Sequence, residues 1–182
     1  MDARATPLSE IDAASLVSPR VSWTDDHTCT RKAEPSMRHD PRRLSQDLYP
    51  LRRAVTPLFG DVDALGHVNN VSIARYFEQA RVLVMEELTS ALGGPAFERA
   101  VLARIEIDYL AEVFYPHEVV ISTGVSKVGT SSLVLGSALF QHGRCVALAT
   151  SIDVGTKPEG GAAPISDEVR AVLDKYLLDL PN

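Results

Sequence analysis

Between residues 59 and 81 the chain reads FGDVDALGHVNNVSIARYFEQAR, and the side chains able to act on a substrate crowd into its first half. Two carboxylates, Asp61 and Asp63, are followed by Gly66, His67, Asn69 and Asn70. The asparagines are good helix N-caps, because their side-chain oxygens accept from the free amides of a first turn. From Val71 the spacing turns helical, with Ile73, Phe77, Ala80, Val84 and Leu88 recurring at intervals of three and four. A carboxylate just ahead of a helix start suits chemistry on a carbonyl. The free amides can hold a developing oxyanion while the carboxylate attacks or activates water. Tyr76, Leu83 and Met85 widen the apolar stripe, which predicts a helix wrapped by other structure.

The order D-x-D-x-x-G-H-V-N-N, then Y-F-E-x-A-R, resembles the hotdog-fold acyl-CoA thioesterases of the 4-hydroxybenzoyl-CoA thioesterase type. The resemblance runs on to about Thr156. It implies a long central helix wrapped by a curved, mostly antiparallel sheet, and hydrolysis of an acyl-CoA to a carboxylic acid and CoA. By this resemblance Asp63 falls on the catalytic carboxylate, as nucleophile or as general base on water. Asn70 falls on the position whose backbone amide serves the oxyanion hole. His67 is a third catalytic candidate, through a bond to a carboxylate or to the substrate. Gly66, Asn69 and Ile73 are substrate-binding candidates. Members of the family often carry a tyrosine where this chain has Ile73, so a different acyl preference is expected. Lys127, and more weakly Arg104, are candidates for the CoA phosphates. The family pairs two units, which implies a homodimer or homotetramer with an apolar acyl tunnel beside the central helix.

Each candidate has a plainer use. Aspartates ahead of helices commonly cap turns, and Asp61 reads as a supporting residue rather than the nucleophile. A lone turn histidine is usually structural, and no second histidine stands at metal-ligand spacing, so no metal and no cofactor are expected. Glu78 lies roughly 12 Å along the helix from Asn70 and is better placed to pair with Arg75 or Arg81. A thiolate, with a parent pKa near ~8.5, leaves without a strong general acid, so one carboxylate and one oxyanion site can suffice. Two other functions stay open. A hotdog hydratase would resemble an Asp followed five positions later by His, whereas His67 is four from Asp63 and six from Asp61. A non-catalytic acyl-CoA sensor would usually add a helical DNA-binding segment, and none can be read in the N-terminal zone.

The elements that must position these residues follow in order. Residues 1–48 are rich in Ser, Thr, Pro and mixed charge without a sustained period, which predicts a disordered or loosely attached extension before a domain at 49–182. Within it Trp23 is the large apolar residue able to dock, and Met37 is an alternative start. A strand is expected at 51–59, limited by Pro57. The helix should stop at Gly93-Gly94-Pro95. Alternation predicts a half-buried strand at 101–109, with Val101, Ala103, Ile105, Ile107 and Tyr109 on the buried face. Further strands are expected over 119–125, 133–139 and 146–154, with Gly136 marking a bulge or a close helix approach. A final helix from Ser166 should carry Val169, Val172, Leu173, Tyr176, Leu177 and Leu180 on one stripe. Short connections between strands demand antiparallel neighbours, so the class is α+β.

A length of 182 residues suits one domain with a substantial core. The formal charge of -6 argues against a nucleic-acid partner but leaves room for a local basic patch. Cys29 and Cys145 are too far apart in sequence for a metal or redox motif, which favours free thiols in a reducing compartment. No membrane-spanning run or secretory core is present, so the cytoplasm is the expected location.

Overall fold

The computed structural model describes residues 39–97 and 99–180. Trp23, Cys29 and Met37, and the character expected for residues 1–38, lie outside the described residues. The elements run β1 (Leu51–Val55), α1 (Asn70–Leu92), β2 (Arg99–Tyr109), β3 (Val119–Val128), β4 (Ser132–Gln141), β5 (Arg144–Thr156) and α2 (Asp167–Leu173). All five strands form one antiparallel sheet in the order β1-β3-β4-β5-β2. This is the α+β hotdog arrangement, with α1 lying on one face of the sheet.

Helix α1 begins where its caps place it. The Asn69 side chain accepts from the Val71 amide, and Gly93 closes the helix at φ 70° in the left-handed region. Its stripe is buried as spaced: Ile73, Tyr76, Phe77 and Ala80 meet Ile121, Leu139 and Ala147 of the sheet. Further along, Leu83, Val84 and Leu88 meet Val125, Leu133 and Leu135, joined by Val169, Val172 and Leu173 of α2.

The opposite face of the sheet is covered too, by segments that the periodicity missed. Residues 41–48 form two 3-10 turns; Arg43 donates to the Ala149 carbonyl at 2.7 Å, and the Tyr49 hydroxyl donates to the Arg43 carbonyl at 2.9 Å. So 39–48, expected in the loose extension, packs on the sheet. The C-terminal residues pack there as well. Helix α2 stops at Leu173, and after a 3-10 turn (Asp174–Tyr176) the chain runs extended, leaving Leu177 half exposed and Leu178 buried. The expected single helix through Leu180 is therefore corrected. Leu178 sits over Gly124 and Gly136, which face one another on β3 and β4. Gly136 marks this close approach, and the bulges lie elsewhere, at Leu102/Arg104, Val125/Lys127 and Leu139/Phe140.

Two further expectations change. Strand β2 is an edge strand whose buried face is largely open, with Val101 47% and Tyr109 45% exposed. Likewise α1 is covered on one side alone, since Val71, Arg75, Glu78, Val82 and Glu86 are exposed or partly exposed within this chain.

A side chain at Gly124 would strike Leu178 and come within 2.9 Å of Pro50 Cδ. Gly124→Ala should destabilise the fold by ~1–3 kcal/mol in urea unfolding. In a Leu178→Ala background the same change should cost clearly less; equal costs in both backgrounds would mean that Leu178 does not sit in the glycine gap.

Candidate active site

Residues 61–63 and 67–69 form a small hairpin ahead of α1. The Asn69 amide donates to the Asp61 carbonyl at 2.8 Å, Val62 bridges Val68, and the Asp63 amide donates to the His67 carbonyl at 2.9 Å. Gly66 occupies the tip at φ 86°, a conformation costly for other residues. A third segment pins the hairpin to the sheet: the Val68 amide donates to the Val113 carbonyl at 2.7 Å, and His67 bridges Phe114. Gln141 of β4 holds that segment, accepting from the Phe114 amide and donating to the Phe114 and His117 carbonyls.

The register assigns the two carboxylates to different places. Asp61 lies level with Asn69 at the helix base, and its side chain is buried. One carboxylate oxygen accepts from the Leu58 amide at 2.9 Å and the Tyr76 hydroxyl at 2.8 Å, and the other meets Arg75. Burial pulls its pKa upward, but these donors outweigh it and hold the carboxyl below the ordinary 3.8. Burial and the bond to Asp61 push the Tyr76 hydroxyl far up. Asp63 lies at the tip, level with His67, two extended residues or ~7 Å from Asp61. Its Oδ1 accepts from the Leu65 and His67 amides at 2.8 and 3.3 Å, while no described residue donates to Oδ2.

Asn70 opens the helix, where the first amides have no intrahelical acceptor. Its carbonyl accepts from the Tyr109 hydroxyl at 3.3 Å, so the end of β2 reaches the helix start. Asn69 is the N-cap. His67 turns its ring edge-on to Phe114, with Nε2 3.9 Å from a Glu112 carboxylate oxygen. Exposed apolar side chains surround the turn: Phe59, Leu65 and Val71 are each 69–79% exposed.

The other candidates do not converge on this turn. Ile73 is 2% exposed and packs in the core beside Val68, so the acyl contact expected of it is not available. Lys127 is exposed eight residues along β3 from Val119, ~26 Å of strand, and Val119 is the end that packs by the turn. Arg104 pairs with Glu106 on β2. Glu78 pairs with Arg81 at 2.7 Å, and Arg81 Nε reaches the buried Asp153 at 3.0 Å. Burial raises the Asp153 pKa against the pull of Arg81. These three groups edge an open groove of about 570 Å³ beside the second half of α1. Glu78, Arg81, Glu86 and Asp153 give that groove a charged edge. The polar partners of Asp153, Tyr76 and Gln141 leave no sign in the sequence, because each sits in an apolar run whose period says nothing of such a partner. Burial pushes the Cys145 thiol up to about 11, which leaves it a thiol rather than a nucleophile. Among the described residues no group of three or more His, Cys, Asp or Glu is arranged to hold a metal ion.

Comparison with known proteins points one way. The sequence model of the Thioesterase-like superfamily matches residues 57–173. A predicted thioesterase from Bacillus stearothermophilus is similar at 28% identity and a TM-score of 0.65, over 72% of this chain and 98% of that one. A thioesterase from Thermus thermophilus, solved with coenzyme A and Zn, is similar at 29% identity and a TM-score of 0.61, over 69% of this chain and 98% of that one. The Bacillus subtilis protein YsmA, itself uncharacterised, is 35% identical over 81 residues, 44% of this chain and about half (54%) of its own length. None of these matches singles out the 4-hydroxybenzoyl-CoA type.

The depressed pKa of Asp61 has a signature in solution. A carboxyl held below 3.8 contributes stability that is present above that value and lost as pH falls through its folded pKa. The stability gap between wild type and Asp61→Asn, from urea unfolding, should be flat at pH 6–7 and shrink below about pH 4. A gap unchanged down to pH 3 would contradict an ionised, paired Asp61.

Proposed function

We propose, for a chain that belongs to the thioesterase-like superfamily, hydrolysis of acyl-CoA thioesters as its reaction. The observation that carries this reading is the division between the two carboxylates. Asp61 is consumed by structural bonds, whereas no described residue donates to Asp63 Oδ2 in the turn that leads into α1. A thioester would sit with its carbonyl oxygen ~3 Å from the Asn70 amide and its carbon ~3 Å from Asp63. Attack by Asp63 forms an acyl–aspartyl anhydride and expels CoA thiolate, and water then cleaves the anhydride. In the alternative course Asp63 takes a proton from water, which adds to the carbonyl directly. Both need the oxyanion held, and neither needs a strong acid for a thiolate that leaves at a parent pKa near ~8.5. Coenzyme A bound to the Thermus thermophilus thioesterase supports a CoA handle on the substrate.

A second copy of the chain completes the site in this proposal. Strand β2 pairs with β5 on one side, lies at the edge of the sheet on the other, exposes Val101, Leu102 and Tyr109, and ends at the Asn70 carbonyl. Antiparallel pairing of β2 with its copy would cover the open side of α1 and shut water from the helix start. Among the described residues no helix is long and apolar enough to cross a membrane. The cytoplasm is the proposed location.

Thiol release from a panel of acyl-CoAs should fall roughly 10²–10⁴-fold in Asp63→Asn, with substrate affinity retained. Equal rates would remove Asp63 from the mechanism, and no turnover of any thioester by wild type would favour a binding protein. In sedimentation, Val101→Asp with Leu102→Asp should yield monomers that lose activity in proportion to dissociation. A fully active monomer would refute the shared site.

A further inference from the structure

The two ends of the proposed site belong to different segments: Asp63 to the hairpin and Asn70 to the helix. Something must hold their separation, because a reacting carbonyl misplaced by about 1 Å can cost two orders of magnitude in rate. Val68 and His67 pin the hairpin to the 113–114 segment, while the bonds from the hairpin to α1 itself converge on Asp61 and Asn69. Asp61 is the residue that reaches across all three parts. Its carbonyl holds the Asn69 amide at 2.8 Å, directly beside Asn70. Its carboxylate holds the Tyr76 hydroxyl, nearly two turns into α1, and Arg75 one turn in. The same carboxylate holds the Leu58 amide, on the chain entering the loop. Arg75 closes the set by donating to Ser72 Oγ at 2.9 Å.

We propose that Asp61 is a positioning residue for hydrolysis. It acts as a strut that sets the distance between Asp63 and the Asn70 amide, with Tyr76 as its main anchor in the helix. This rests on the acyl-CoA hydrolase reading, and it assigns the first Asp of D-x-D a function separate from that of the second. The strut touches no reacting atom. Its loss should therefore lower the rate of the chemical step and leave ground-state binding of the CoA portion almost intact.

The test uses the full chain. Asp61→Asn, Tyr76→Phe and the double variant are assayed for kcat and KM below their unfolding temperatures, and ¹⁵N-amide resonances of Asn69 and Asn70 are recorded for each. Asp61→Asn should lower kcat about 10–100-fold with KM within about threefold of wild type, and Tyr76→Phe about 3–10-fold. Because both act through one strut, the double variant should lose no more than Asp61→Asn alone. Both single variants should shift the Asn69 and Asn70 amides. Should Asp61→Asn not fold, Tyr76→Phe carries the test, since it keeps the carboxylate and removes the anchor. Unchanged kcat in a folded variant, losses that multiply in the double variant, or a change confined to KM would each overturn the strut. If wild type hydrolyses no thioester, the hydrolase reading falls by itself, and the amide shifts decide the strut: shifts in Tyr76→Phe support it, and their absence overturns it.

Discussion

A carboxylate with little access to water survives as an anion where donors replace its lost hydration, and the hairpin ahead of α1 is built around one such group. Asp61 lies at the foot of a helix, where the axial field already favours negative charge, and it adds a backbone amide, a phenol and a guanidinium. Because those donors come from separate segments, the anion does more than satisfy itself. It ties the chain entering the loop to the helix leaving it. Asp63 is thereby spared any role in holding the loop to the helix, and it caps its own turn with one oxygen while no described residue donates to the other. Two chemically identical side chains two positions apart have opposite assignments, and the cause is the register of a hairpin only a few residues long.

That register explains what the sequence could and could not disclose. The limits of α1 were legible because Asn69 and Gly93 carry local signals that act at the helix ends themselves. The candidate turn was legible because glycine, histidine and capping asparagines cluster there. The roles of Asp61 and Asp63 could be ranked only by resemblance, since the bonds that separate them depend on Val68 meeting Val113 and on Tyr76 turning back from the helix. Such pairings join residues far apart in the chain and leave no periodic trace. The alternation in β2 was read correctly as a strand, yet alternation cannot state what covers its apolar face. Segment 39–48 was missed because 3-10 turns have no helical stripe. Its local signs were the caps Asp40, ahead of Pro41, and Ser45, ahead of Gln46.

The sheet distributes polar groups unevenly, and the pattern bears on the site. At the turn end of α1 the inner face is packed with Ile121, Leu139 and Ala147 against Ile73 and Phe77. Midway, Thr123 and Ser137 share a buried hydroxyl bond of 2.8 Å, and on β5 Ser151 and Asp153 lead to Arg81. Apolar packing therefore lies under the proposed chemistry, and the polar groups of the sheet's inner face lie farther along, beside the groove. A rigid bed beneath a turn that must hold sub-ångström spacing is consistent with the close packing of protein interiors.

The paired glycines on β3 and β4 make the last described residues part of the sheet's packing. Leu178 works as a wedge over the two bare backbone positions Gly124 and Gly136. Removing residues 177–180 would uncover a slot bordered by Tyr49, Ala138 and Phe140, on the face opposite α1. Trimming the chain on that side thus bears directly on the integrity of the sheet.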